Sequence, residues 1–407
     1  MSTRMLAESW KDIAAQFLKI GATAYGGPAI MGIMQSELQE KRRWVSKERF
    51  VEGLSLVNML PGATAAQLSI FLGYARGGWW GGLLGGLCFV LPGFVVLLAL
   101  TIGYAALGVS PILRGALYGL GPVVLGIYLV AVYRLARVAL STRSQVAIAI
   151  AAAAATLAGP VGVAAILLVA GGVGLWLFHS TRLGVTVLVA LGVCLAVAQL
   201  VPTMAPSSPA AAAGSVSAPT VAHLGTFLLK VGALTFGGGL TMIAFIQEQV
   251  VDQFGWLTPQ EFVDGLALGQ FTPGPILMVA AYVGYKAAGL AGALVGAAAA
   301  FLPSFVMMLA ILPAFDRVRT LVWTRAALKG ISPAVIGVLA VSLVRLAPHA
   351  LPDVLAGATL IATVVVLMVW RVASLKVMLV GAGLGVVRSR LVSLPGARAV
   401  LSAVMRA

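Results

Sequence analysis

The segment QFTPGP, Gln270 to Pro275, constrains this chain more than any other, because it breaks a helix inside apolar sequence. DGLALG precedes it and ILMVAAYVGY follows. A helix cannot pass through Pro273-Gly274-Pro275 intact: both prolines lack the amide donor, and the glycine favours unwinding. In lipid such a break survives only where protein or a water-filled cavity satisfies the freed backbone groups. A near copy, NMLPGATAAQL, puts Pro61-Gly62 at the matching point of the first half. Two interrupted apolar segments at corresponding places in two halves are the best sequence pointer to a transporter's binding site.

The rest of the composition agrees with a membrane setting. The chain is 60% hydrophobic and 10% charged, against roughly 25% charged in a soluble domain. Apolar runs of on the order of 20 residues, enough to cross a bilayer, recur at Trp79 to Leu107, Ile112 to Tyr133, Val161 to Phe178, Leu183 to Leu200, Gly289 to Leu312 and Val354 to Trp370. The fold class expected is an all-α polytopic membrane protein. The N-terminal MSTRMLAESWKDIAAQF carries Glu8, Lys11 and Asp12 and no small-residue cleavage site, so it reads as a surface amphipathic helix rather than a signal peptide.

A net charge of +15 raises nucleic acid as a partner. The basic residues are instead scattered between apolar runs with no aromatic-interleaved stripe, which excludes that reading and fits loops flanking spans. Cys88 and Cys194 lie in separate apolar segments and read as buried small hydrophobes. His179, His223 and His349 fall at segment edges or in linkers, and no spacing resembles a metal site. No cofactor is expected.

An offset of about 211 residues brings much of the chain into register with itself. FLKIGATAYGGPAIM overlays LLKVGALTFGGGLTM, pairing Lys19 with Lys230 and Gly26-Gly27 with Gly237-Gly238. Trp44 then meets Trp256, Gly53 meets Gly265, Gly73-Tyr74 meet Gly284-Tyr285, and Arg134 meets Arg345. This is a tandem duplication. Loop charge sets the orientation. Glu37 to Arg49 holds Lys41, Arg42, Arg43, Lys47 and Arg49, whereas its counterpart, Gln247 to Asp264, holds only acidic charges. The loop after Tyr133, with Arg134, Arg137 and Arg143, and the one before Arg114 swap bias with their counterparts in the same way. Since Lys/Arg excess marks the cytoplasmic side, equivalent loops should lie on opposite faces, as in inverted repeats. Leu183 to Leu200 has no partner and supplies the odd crossing that inversion requires.

The expected organisation is an amphipathic segment (1–16), a first repeat (17–178), a connecting helix (179–200), a flexible linker (201–222), a second, inverted repeat (223–387) and a tail (388–407). Parity closes best if Phe17 to Met34 and Phe50 to Tyr74 are re-entrant hairpins.

After each Pro-Gly the chain restarts as a half-helix whose unpaired amides and dipole favour an anion. Gly62 to Thr64 and Gly274 to Ile276 are the candidate cradles, with the hydroxyls of Thr64 and Thr272 and the amides of Gln67 and Gln270 as further donors. Plain kinking is the competing role; its duplication at matched positions argues against it. Gly26-Gly27-Pro28 and Gly237-Gly238-Gly239 offer sharp turns where backbone can approach a ligand, or close helix packing. Lys19 and Lys230 either line the site or snorkel to the interface. Glu37, Glu248 and Asp264 are candidate proton acceptors, Asp264 the best placed. Arg134 and Arg345 read as interface anchors.

These residues resemble the chromate ion transporter family in its long, two-domain form. The motifs are YGGPAIM and NMLPGATAAQL in the first half, then TFGGGLTMIAFIQEQVV, WLTPQEFVDGLALGQFTPGP and FLPSFVMML in the second. The family's first break usually reads Pro-Gly-Pro; here Ala63 replaces the second proline. The resemblance implies export of chromate across the cytoplasmic (inner) membrane, coupled to protons, with sulfate as a look-alike. It carries over Gly26, Gly27, Pro28, Pro61, Gly62 and Gln67, then Gly237, Gly238, Gln270, Thr272, Pro273, Gly274 and Pro275. The alternatives are a sulfate or other oxyanion carrier, a chromate-reducing enzyme and a non-transporting assembly subunit. The enzyme lacks any flavin or dinucleotide fingerprint or paired thiols. A homodimer is compatible with the sequence.

Overall fold

Successive apolar segments, punctuated by Gly and Pro, fold as helices throughout. The structure, a computed structural model, describes residues 3–25, 27–107, 110–159, 161–200, 220–315, 322–370 and 372–393. Among these there is no strand. In chain order the α-helices are α1 Thr3–Thr23, α2 Gly27–Met34, α3 Lys47–Met59, α4 Thr64–Leu107, α5 Pro111–Ala139, α6 Arg143–Ala158, α7 Val163–Phe178 and α8 Thr181–Leu200. The remainder are α9 Val221–Leu234, α10 Thr241–Ile246, α11 Pro259–Phe271, α12 Val279–Ile311, α13 Val322–Ala350, α14 Val354–Val365 and α15 Ser374–Ser393. Among the described residues, four helices are long and apolar enough to cross a membrane: Thr64–Leu107, Pro111–Ala139, Ile276–Ala314 and Val322–Ala350. Bulky apolar side chains such as Leu91, Val95, Leu302 and Val306 point outward from them, as lipid-facing surfaces require. The protein is an all-α polytopic membrane protein.

The same local events occur twice. The chain of α1 turns back on itself before α3, bringing Arg42 to Asp12 (2.7 Å) and Trp44 to Phe17 (5.9 Å between rings). After α9 it does the same, setting Phe254 and Trp256 against His223 and Phe227. A second reversal follows at each Pro-Gly. Gly53 of α3 lies against the Phe71 ring of α4. In the other half Tyr282 donates to the Glu261 carbonyl at 2.8 Å, and Lys286 pairs with Glu261 at 2.7 Å.

Sequence reading did not anticipate a third reversal. Helix α4 folds back at Gly77-Gly78, and α12 at Ala288-Gly289, where Gly78 (φ 65°) and Gly289 (φ 62°) take the left-handed conformation. The arms then touch backbone to backbone, Gly73 on Gly81 and Gly284 on Gly292. Glycine is needed at these crossings because any Cβ would overlap the opposing carbonyl. The run from Trp79 is thus the outgoing arm of a hairpin. The two outgoing arms, 79–107 and 290–311, pack antiparallel, with Gly82 against Leu309 and Gly86 against Phe305.

Beyond the hairpins the halves interleave. Helix α5 packs on α15 through Gly115, Gly119, Gly381 and Gly385, and α13 packs on α7 through Gly330, Ala170 and Gly174. Arg134 donates to the Leu367 carbonyl and Arg345 to the Thr156 carbonyl, each at 3.0 Å. These arginines therefore tie a helix of one half to a carbonyl of the other, and α5 continues past Tyr133 to Ala139 instead of ending in a loop. Arg345 also meets Asp252 at 3.3 Å. Replacing Arg345 by Ala should lower stability by on the order of 1 kcal/mol. Asp252→Asn, which leaves the carbonyl bond intact, should cost less. Thermal unfolding in detergent compares the two, and equal losses would count against the carbonyl bond.

Several sequence expectations shift. Cys194 is exposed on α8, not buried, while Cys88 is half-buried. Glu248 accepts from the Val163 amide at 3.0 Å and so caps α7. Glu37 pairs with Lys41, whose hydrogen bond holds its carboxyl below the usual range. The final helix runs past Val387 to Ser393, with Arg388 on Asp353 at 2.7 Å. Most of the linker, residues 201–219, and the tail beyond 393 lie outside the described residues.

Candidate functional site

Each break is built by Pro and Gly and then held by the other half. At the first, Leu60 is extended and Gly62 adopts φ 120° before the half-helix begins at Thr64. The Gly62 amide donates to the Thr235 carbonyl at 2.6 Å, and the Ala63 amide to Ser304 Oγ at 3.0 Å. At the second, Gly274 (φ 96°) donates to the Ala24 carbonyl at 2.9 Å. Thr235 and Ala24 close the equivalent helices, so each break is fastened by the first helix of the opposite half.

The amides left over matter most. A helix leaves its first N–H groups without intrahelical partners. Among the described residues, those of Thr64, Ala65 and Ala66 at the first break, and of Ile276 and Leu277 at the second, have no acceptor. Most of these residues are buried, where an unpaired donor is costly.

A glycine loop joins the two tips. Gly237, Gly238 and Gly239 have φ of 66°, 71° and 101°. A methyl built on Gly238 would stand 3.8 Å from Thr64 Oγ1, and one on Gly239 would stand 3.8 Å from the Leu277 nitrogen. Three consecutive left-handed residues thus pass between both half-helix N-termini with only hydrogen where side chains would project. Thr64 Oγ1 is uncommitted among the described residues. The arrangement presents amides, a hydroxyl and two positive dipole ends, which suits a compact anion.

Other expected donors serve the scaffold. Gln67 gives its Nε2 to the Pro61 carbonyl at 2.6 Å and so braces the break, while its Oε1 is buried without a partner. Thr272 spends its hydroxyl on the Leu268 carbonyl at 2.9 Å. Gln270 lies beside the buried Tyr128 hydroxyl without a well-formed hydrogen bond. Pro273 places its carbonyl against Gly93, the first-half counterpart of Ser304. Pro275 is the extended residue from which Ile276–Met278 starts. Lys19 and Lys230 are exposed. Gly27 and Pro28 open α2; Gly26 lies outside the described residues. Ser304 was missed: FLPSF carries it, but only the fold shows that its hydroxyl closes a break 241 positions away.

Comparison with known proteins agrees with this architecture. The family described as "Chromate transporter" matches twice, over residues 11–176 and 222–386. A chromate transport protein of Cupriavidus metallidurans is 30% identical over 382 residues, 92% of each chain. A probable chromate transport protein of Synechococcus elongatus is 32% identical, covering 86% of this chain and 88% of the relative. A chromate transport protein of Pseudomonas aeruginosa is 35% identical, covering 83% and 81% respectively. No solved structure matches. With both halves matched and relatives aligned along nearly their whole lengths, this chain belongs to the chromate transporter family.

Proposed function

We propose that the protein is a secondary transporter that exports chromate across the cytoplasmic (inner) membrane, driven by the proton gradient. The observation that carries this reading is that one glycine loop lies against the starts of both half-helices, near Thr64 Oγ1 and the Leu277 nitrogen, where five amides are unpartnered. Such donors would replace the hydration of a tetrahedral oxyanion as it leaves water. The double family match, the antiparallel outgoing arms and the loop-charge swap support reading residues 17–178 and 223–387 as oppositely oriented repeats. Alternating access would then rock one repeat against the other about the shared tips. Family membership favours a carrier over an enzyme.

Everted vesicles test the proposal. Energised vesicles carrying the protein should accumulate labelled chromate, and an uncoupler should abolish accumulation. Equal accumulation of sulfate would replace chromate export with a general oxyanion carrier. Accumulation that survives the uncoupler would remove the proton gradient as the driving force.

A further inference from the structure

We infer that Asp264 is a proton-binding site that reports its charge state to the opposite half through Tyr104. The inference rests on the transporter reading above and names the group that would link proton movement to anion movement. Asp264 is only 6% exposed. It lies one helix arm from the second break, seven residues, or about 10 Å, before α11 ends at Phe271. Intramembrane carboxylates are costly and mark ion or proton paths by default.

Its partners are what set it apart. Tyr104 donates to Oδ2 at 3.0 Å and Gln260 to Oδ1 at 3.1 Å, both neutral groups. No ion pair reaches Asp264 among the described residues. The ammonium on the adjoining arm, Lys286, is bound to Glu261 at 2.7 Å and sits 5.9 Å from the Tyr104 ring. Tyr282 also faces the group, 6.1 Å from Tyr104 ring to ring, but commits its hydroxyl to the Glu261 carbonyl. Asp264, Gln260 and Tyr104 line a cavity of about 270 Å³ together with Arg114 and Tyr118 of α5 and His349 of α13. Tyr118 is already engaged by Asp353. The cavity therefore offers a route for protons to an unneutralised carboxylate, beside two basic side chains suited to a passing anion.

Proton uptake changes the hydrogen bond across the halves. The ionised carboxylate accepts from the Tyr104 O–H. Once a proton from water adds to Oδ2, that oxygen becomes a donor and the phenol oxygen must accept. Tyr104 belongs to the outgoing arm of the first half and Asp264 to the re-entrant arm of the second. The switch thus acts where the repeats meet.

Purified protein in liposomes separates the possibilities, with chromate as the probe. Asp264→Asn should reduce ΔpH-driven accumulation to the level of empty liposomes while chromate counterflow at equal pH persists. Accumulation retained in Asp264→Asn overturns the proposal, and so does loss of counterflow alongside accumulation. Tyr104→Phe keeps the carboxylate but removes a donor to its ionised form. The pH of half-maximal accumulation should therefore move up by about one unit; an unmoved profile overturns the proposal. Wild-type protein that lacks counterflow would instead overturn the transporter reading itself.

Discussion

Replacing Gly274 by Leu is expected to abolish chromate accumulation while the protein still inserts and remains monodisperse. Gly274 holds φ 96°, and a Cβ there meets nothing within 4 Å. No clash at the Cβ itself therefore opposes the substitution. The penalty comes from the left-handed backbone, roughly 1–2 kcal/mol for an L-residue, and it is relieved by moving the tip that carries the Ile276 and Leu277 amides. Gly274→Ala should fall between wild type and Leu, since it adds strain with little bulk. Gly62 differs: its Cβ would overlap Ser304 Oγ and crowd Gln67, so Gly62→Leu should damage folding as well as transport. Vesicle uptake read beside membrane yield distinguishes the two. Full transport in Gly274→Leu would remove the second break from the site.

The second large effect lies in assembly. Gly385→Leu should prevent a monodisperse, folded protein, because a Cβ there would overlap the Gly115 carbonyl and lie 2.9 Å from Gly119 Cα. Backbone cannot yield as a flexible side chain does, so α5 and α15 would be forced apart, costing upwards of about 3 kcal/mol. Gly383, two residues away on the same helix, has nothing within 4 Å of its Cβ. Gly383→Leu should behave as wild type. Size-exclusion profiles of both variants in detergent give the comparison, and identical profiles would contradict the interleaved packing. Because Gly381 and Gly385 of α15 lie in the second family match and α5 lies in the first, this contact also binds the two matched regions into one body.

Much of this architecture was legible from residues whose chemistry is local. Pro61-Gly62 and Pro273-Gly274 mark reversals because proline and glycine act on their own backbone, and both occur where the sequence places them. The paired offset likewise matches Arg134 with Arg345; read as interface anchors, they instead each donate to a backbone carbonyl of the opposite half. Features that depend on distant partners were not legible. Nothing in FLPSF says that Ser304 closes the first break. Nothing in ARGGWW separates a hairpin at Gly77-Gly78 from a continuous apolar helix, since the deciding contact is Gly73 on Gly81. Lys19 and Lys230 stand in apolar sequence, yet their helices turn them outward. Thr64 and Thr272 look equivalent as donors. Only their surroundings leave one hydroxyl uncommitted and bind the other to Leu268.

The most direct test is the position of the anion. Anomalous diffraction at the chromium edge from crystals soaked in chromate should place the metal between Thr64 Oγ1, the Gly238 backbone and the Leu277 amide, within reach of both half-helix N-termini. A chromium peak confined to the cavity lined by Arg114 and His349, or to the surface near Lys19 and Lys230, would contradict a site made from the two broken helices.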